Sequence, residues 1–260
     1  MNISVCIKHV PSVLDYDIKS NSIRRKGVTS EVNPFDLFAI EEAVRIKEKK
    51  GATTTAICMG VEDAKKSLKR AIAMGIDNAV LLCDKKFSGS DTQATSYILS
   101  EGLKRTNNFD LILCGKQSSD GDTAQVGVQI AEKLGLPFLT NVVEINFLSN
   151  SIIECKRLLE SGYQIIEVPL PAVISVNKGI NEPRIPTVKN LIRSEKVEPG
   201  VLSVEDIKIN SDKCGRNGSP TRVVNISFPQ ISPTFCQEIK GTYDDQIGFL
   251  INLICAESKK

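Results

Sequence analysis

The sequence predicts an α/β fold, a mostly parallel doubly wound sheet, and three observations lead there. Short apolar runs recur at Ile3–Ile7, Thr54–Cys58, Ala79–Cys83 and Leu111–Cys114. Segments with helical period lie between them. Glycines close several of those segments, as expected where a helix stops before the next strand. Strands alternating with helices place helices on both faces of a parallel sheet.

The first helix is read over Phe35 to Lys50, with Asn33-Pro34 as its entry and Gly51 as its stop. Proline suits the first turn, where its missing N–H has no helical partner anyway. The second runs from Val61 to Met74, turning Ala64, Leu68, Ala71 and Ile72 inward before Gly75. Asp91 to Lys104 is the third, and Thr123 to Leu134, stopped by Gly135, is the fourth. Four further strands are expected at Val142–Ile145, Ser151–Arg157, Gln164–Val168 and Ala172–Val176. Their short connections read as an antiparallel extension at one sheet edge. After Ser175 periodicity weakens among Pro183, Pro186, Pro199, Gly200, Gly215, Gly218, Pro220, Pro229 and Pro233, and from about residue 195 the chain reads as an extended arm. The expected organisation is an α/β nucleotide-binding domain over 1–194 and a long C-terminal arm over 195–260. Such an arm is stable only against another surface, so it is expected to wrap a partner. Tyr243 to Ala256 is a helix-like anchor near its end.

The stretch FDLILCGKQSSDGDTAQVG, residues 109–127, reads strand, loop, helix. In an open α/β sheet that junction lies at the carboxyl edge, where ligands bind. Gly115 and Gly121 are read as points of close backbone approach, and a helix starting near Asp122 offers unpaired N–H groups to a phosphate. Asp120, Asp122 and Thr123 are equally ordinary capping residues, so both readings stand at this point. The dinucleotide and P-loop glycine spacings are absent. Thr92 and Thr95, three apart at a helix start, are placed to reach one ligand or to cap and pack.

Composition excludes other classes. The 33 basic and 31 acidic residues leave a net charge of +2, which gives no field for nucleic acid. Aromatic content is 5% with no Trp, against a base-stacking surface. No apolar run has the length of a membrane span, and MNISVCIKHV reads as a strand without signal-peptide features. None of the eight cysteines (Cys6, Cys58, Cys83, Cys114, Cys155, Cys214, Cys236 and Cys255) forms a CxxC, so no metal site is expected. Reduced thiols in strands suit a cytoplasmic protein. The lone His9, after the first strand, is expected to have a structural or ligand-edge role and not a catalytic one.

Several separated blocks now carry a resemblance. VCIKHVPS, NPFDLFAIEEAVRIKEKKG, AIAMG, CGKQSSDGDTAQVG and LPAVISVNKGINEPRIPT together resemble the electron transfer flavoprotein β-subunit family along nearly the whole chain. Arg157, Glu160, Gly162, Gln164, Pro171, Val173, Ile174 and Ser175 fit the family's signature region, from which Cys155 and Ser161 depart. The resemblance implies a universal-stress-like, adenine-nucleotide-binding sheet and a heterodimer with an α subunit. One branch of the family holds AMP structurally in the β subunit; the electron-bifurcating branch holds FAD there. DGDTAQVG, GSDTQATSY and GSPTRVV (Gly218 to Val224) are similar to the bifurcating branch.

By this resemblance Cys6, Asn33, Pro34, Phe35, Asp36 and Met59 line the adenosine end. Gly115, Lys116, Gln117, Asp120, Gly121, Asp122, Thr123, Ala124, Gln125 and Val126 wrap ribose and phosphates. Asp91, Thr92 and Thr95 lie toward the flavin. NADH is the implied donor, with ferredoxin or flavodoxin as low-potential acceptor. A flavin dehydrogenase acting on an acyl-CoA or lactate is the implied partner, docked through Arg184, Ile185, Val188, Leu191 and Ile192. No side chain is expected to be catalytic.

Overall fold

The computed structural model describes residues 1–13, 16–17, 22–23, 29–106, 109–225 and 238–257. They divide into two compact units, Met1–Val224 and Asn225–Lys260. The first holds a nine-stranded sheet: β1 (Asn2–Ile7), β2 (Thr53–Met59), β3 (Asn78–Leu82), β4 (Leu111–Gly115), β5 (Phe138–Phe147), β6 (Ile152–Leu159), β7 (Gly162–Pro169), β8 (Ala172–Val176) and β9 (Gly200–Leu202). In space the order is β7-β6-β5-β8-β4-β1-β2-β3-β9. Every pairing from β5 across to β9 is parallel, and β6 pairs antiparallel with both β5 and β7.

Six helices belong to this unit: α1 (Pro34–Lys50), α2 (Lys65–Met74), α3 (Thr92–Thr106), α4 (Val126–Leu134), α5 (Val188–Glu195) and α6 (Val204–Ile207). Strand alternation sorts them onto two faces. Ile3, Val5 and Ile7 of β1 pack in one core with Ile40 and Val44 of α1 and Leu68 and Ala71 of α2. Cys6, Ile57, Ile112 and Val173 point the other way, into a core with Ile98 and Leu103 of α3, Ile130 of α4 and Val204 of α6. This is the expected doubly wound sheet.

The structure corrects one strand assignment. Ala172–Val176 does not belong to the antiparallel extension but lies between β4 and β5, parallel to both and buried at every residue. The run AVISV, apolar except for the buried Ser175, marks a strand covered on both faces. The two-residue link from β7 made it resemble a hairpin arm. The extension itself consists of the second half of β5 with β6 and β7. Asn141, at φ +56°, bends β5 in its middle. Phe147 consequently lies beside Lys50 at the end of α1, with the ammonium 5.2 Å from the ring centroid.

The first unit continues past residue 194. β9 adds to the sheet edge beside β3, and α6 packs on the α3 face. In the second unit α7 (Tyr243–Glu257) exposes Tyr243, Ile247, Leu250, Ile251 and Ile254. Cys236, Pro229 and Pro233 of the expected arm lie outside the described residues. No described helix is long and apolar enough to cross a membrane.

Candidate functional site at the sheet switch point

β1 is flanked by β2 on one side and β4 on the other, so the direction of winding reverses between β1 and β4. The carboxyl ends of those two strands form the crevice where such sheets bind ligands. The segments that meet there are Lys8 after β1, the start of α1, and the loop from Gly115 to Gln125.

Asn33 ties two of them together. It stands at the N-cap of α1 but makes no side-chain cap. Its buried amide instead donates to the Gln117 carbonyl at 2.8 Å and accepts the Ser119 N–H at 3.1 Å. Asp36, 5% exposed, accepts the Lys8 N–H at 2.7 Å. Burial pushes its carboxyl up to about 7, even against the opposing N–H of Lys8, the Asn33 side chain and the Lys8 charge.

The two carboxylates of the loop have partners within the protein. Lys8 Nζ reaches Asp120 Oδ1 at 2.5 Å and Ser118 Oγ at 3.3 Å, and the Asp120 side chain is 2% exposed. Gln117 Nε2 donates to Asp122 Oδ1. Each carboxylate is therefore engaged by a donor from the protein. Lys8 was not among the residues expected here; a cation in the first turn after a central strand was its signal.

Two other expectations about this loop change. α4 begins at Val126, four residues later than Asp122, because Asp122 (φ +52°) and Ala124 (φ +55°) adopt left-handed backbone that no helix continues through. Gly115 is required by the protein's own packing: a Cβ there would stand 2.3 Å from Asp36 Oδ1 and 2.7 Å from the Phe35 carbonyl carbon. At Gly121 a Cβ would meet only Ser118 Oγ at 3.3 Å and Lys8 Nζ at 3.9 Å, so the protein's own packing does not require glycine there. Alternating right- and left-handed residues turn successive N–H groups into a concavity suited to an anion. Among the described residues, the N–H groups of Thr123, Ala124 and Gln125 make no hydrogen bond to the protein, and Gln125 does not cap α4 with its side chain.

On the other face of the sheet, a polar chain joins α3 to α4. Thr92 Oγ1 donates to Gln125 Oε1 at 2.9 Å, Gln129 Nε2 donates to Thr92 Oγ1 at 3.4 Å, and Ser96 Oγ donates to Gln129 Oε1 at 3.0 Å. Asp91 caps α3 through the Ala94 N–H and accepts both the N–H and hydroxyl of Thr221. Burial raises its carboxyl, but these bonds outweigh it and hold Asp91 below the usual range. Thr95 is half-buried one turn on from Asp91. Lys116, Phe35 and Met59 border the crevice half-buried, and Pro34 is exposed at the first position of α1. Cys6 is buried beneath it, opposite Cys114 across the β1–β4 register.

A family model described as "Electron transfer flavoprotein domain" matches residues 21–207. "Electron transfer flavoprotein subunit beta" of Thermoanaerobacterium thermosaccharolyticum is 42% identical over 232 residues, which is 88% of either chain. This chain belongs to the electron transfer flavoprotein family, as a β subunit. Among its relatives, "Caffeyl-CoA reductase-Etf complex subunit CarD" of Acetobacterium woodii is 38% identical, with 93% of this chain and 96% of that one aligned. "Protein FixA" of Azorhizobium caulinodans is 38% identical over 88% of this chain and 85% of its own. An electron transfer flavoprotein β subunit implies an α-subunit partner and a role in electron transfer.

The segment expected to dock a partner divides in two. Arg184 lies against α1: Nε and Nη2 reach Glu41 at 2.8 and 3.0 Å, and Nη1 and Nη2 reach Glu48 at 2.6 and 3.0 Å. Asn181 Nδ2 bonds the Phe38 carbonyl and Glu42, both at 3.0 Å. Beyond this strap the chain is apolar and open, with Ile185 87% and Val188 72% exposed, and Leu191 and Ile192 also exposed on α5.

Proposed function

We propose that this chain holds FAD in the crevice at the switch point and serves an electron-bifurcating electron transfer flavoprotein. One observation carries the choice of FAD over AMP: the site has two polar ends on opposite faces of the sheet. Asn33 and the α1 entry lie on one face, the Thr92–Gln125–Gln129–Ser96 chain on the other, and the uncapped start of α4 lies between them. AMP spans only the first end and the phosphate site; a dinucleotide reaches both. The fit is to an extended ligand with central phosphates, which the amides of Thr123, Ala124 and Gln125 suit.

In this reading Asn33 and Asp36 hold the adenosine side, residues 115–126 receive the phosphates, and Asp91, Thr92 and Thr95 bound the flavin side. When bound, FAD supplies the redox chemistry, exchanging electron pairs and single electrons. The chain orients it, excludes water beneath it with the Cys6–Cys114 layer, pairs Asp120 with the Lys8 ammonium, and turns Asp122 onto the Gln117 amide. The heterodimer takes its electrons from NADH in the cytoplasm. It divides them between a flavin dehydrogenase, reached through the α subunit, and ferredoxin or flavodoxin. The reductase named in one relative's complex supports an acyl-CoA-type dehydrogenase partner. Ile185, Val188, Leu191 and Ile192 form its docking patch, apolar anchors set among charges. The chain beyond Val224 carries the arm toward the α subunit, supported by the exposed apolar side chains of α7.

The test is cofactor counting on the purified heterodimer. Two FAD per heterodimer, with NADH-dependent ferredoxin reduction, is the expected result. One FAD together with one AMP removes the bifurcating reading and leaves AMP in the crevice.

A further inference from the structure

Three arginines among the described residues are half-buried: Arg45, Arg157 and Arg184. Two of them meet carboxylates. Arg45 reaches Glu42 at 3.5 Å, and Arg184 forks onto Glu41 and Glu48. Arg157, on β6, forms no ion pair within the described residues. Its Nη2 donates to Thr140 Oγ1 at 3.1 Å, and its Nε is buried without a hydrogen-bond partner. A guanidinium keeps its charge at neutral pH, and a charge drawn out of water is ordinarily answered by an opposite one. Arg157 is the arginine whose answer this chain does not supply.

The strands explain how it comes to stand there. β5 bends at Asn141, and the register between β5 and β6 slips between Lys156 and Arg157. Arg157 therefore lies opposite Val142, whereas Glu144, the acid in register with Lys156, accepts from Asn146 Nδ2 at 3.0 Å. Such a slip re-aims the side chain at which it falls. Around it, β6 and β7 present an open apolar face. Leu158 stands opposite Tyr163 and Lys156 opposite Ile165, so the four share one side of the hairpin. Tyr163 is 61% and Ile165 66% exposed, and the Lys156 ammonium lies 4.5 Å from the Tyr163 ring centroid. β7 is also the outermost strand of the sheet. Large exposed apolar side chains beside an unanswered arginine have the composition of a protein interface.

We propose that the β6–β7 hairpin is a contact surface for the α subunit, and that Arg157 receives an α-subunit carboxylate there. This rests on the α-subunit partner that membership of the family implies, and it is independent of which nucleotide fills the crevice. Charge selects the group: no acid of this chain reaches Arg157, so the partner brings one, and a guanidinium fork holds a carboxylate through parallel N–H bonds. Tyr163, Ile165 and Leu158 are the apolar surface that the same contact removes from water. The Arg184 fork, already filled by Glu41 and Glu48, has no such place to offer.

The experiment measures the Kd of the full chain for its α subunit by sedimentation equilibrium. Arg157→Met is expected to raise Kd about a hundredfold, and Arg157→Lys about tenfold, because an ammonium keeps the charge but not the fork. Ile165→Ser, on the neighbouring face, is expected to raise it about tenfold. Thr140→Val removes only the bond inside the chain and should change Kd less than about threefold. An acidic residue of the α subunit whose replacement by Ala is non-additive with Arg157→Met confirms the pair. A wild-type Kd for Arg157→Met overturns the proposal. So does Thr140→Val as damaging as Arg157→Met, which leaves Arg157 a brace for the bent strand. Self-association of the wild-type chain without the α subunit, lost in Arg157→Met, gives the face to a second copy and overturns it too. Should the Met variant fail to fold, amide exchange over residues 158–166 of the wild type decides. Slower exchange in the heterodimer than in the free chain supports the surface, and equal exchange refutes it.

Discussion

Replacing Arg184 with Met removes the double fork that fastens the strap to α1 while keeping a long apolar stem. Glu41, 6% exposed at its side chain, would lose three bonds: from the Arg184 backbone N–H at 3.1 Å if the segment lifts, and from Nε and Nη2. Breaking a fully buried ion pair costs about 3–5 kcal/mol, because one charge is left uncompensated. Arg184 is a third exposed and Glu48 more than half exposed, so water screens the loss. The expected destabilisation is about 2 kcal/mol, or roughly 4–8 °C in Tm for a unit of this size. Glu48→Gln alone should cost under about 0.5 kcal/mol, since an exposed pair contributes little. Urea denaturation of the single and double variants separates the two arms of the fork. Coupling of about 1.5 kcal/mol is expected between Arg184 and Glu41, and about 0.5 kcal/mol between Arg184 and Glu48. The reasoning fails if Arg184→Met unfolds at the wild-type midpoint, or if Glu48 couples as strongly as Glu41.

Three further outcomes follow from the same geometry. Gly115→Ala drives a Cβ into the Asp36 carboxyl and the Phe35 backbone, which cannot rotate aside, and should cost about 3 kcal/mol by thermal unfolding; a Tm unchanged from wild type would contradict the packing. Thr54→Val removes a buried hydroxyl that donates to Asp77 Oδ2 and accepts the Asp77 N–H, both at 3.0 Å, and should cost about 1–3 kcal/mol in urea. Asp36 sets a pH dependence of stability: its folded value of about 7 exceeds the unfolded 3.8, so the folded state binds the extra proton and stability declines as pH rises from about 4 to 7. The difference between wild type and Asp36→Asn over that window should approach about 4 kcal/mol, at 1.36 kcal/mol per pH unit. Parallel pH profiles for the two proteins would show that Asp36 does not titrate there.

What could be read from the sequence was local. Asn33-Pro34 and Gly51 bracket α1 because entry and stop chemistry act within one turn, and Ile3–Ile7 alternates between the two faces as its pleat requires. What escaped is set by tertiary contacts. Nothing near Ala172 says that β8 enters the sheet between β4 and β5, since that depends on β5 bending at Asn141. β9 is three residues long and gains its strand character only from β3. In the crevice, Gly115 was legible as a special backbone position, but its cause is Asp36, 79 positions earlier in the chain. Lys8 and Asp120, 112 residues apart, explain each other only once the loop has closed over β1.

The late arrival of β8 has a consequence for synthesis. Until residue 176 is made, β4 has no neighbour on its outer side, and the backbone edge of its apolar run Leu111, Ile112 and Leu113 is open. The same holds for the first half of β5, whose parallel partner is β8. A nascent chain of about 150 residues therefore carries two incomplete half-sheets that adhere to other chains more readily than to each other. Shortened forms ending before Ala172 should emerge as aggregates, whereas those ending after Val224 retain every strand of the sheet. β8 is the keystone that joins β4 to β5, and the ribosome makes it after both of the strands it bridges.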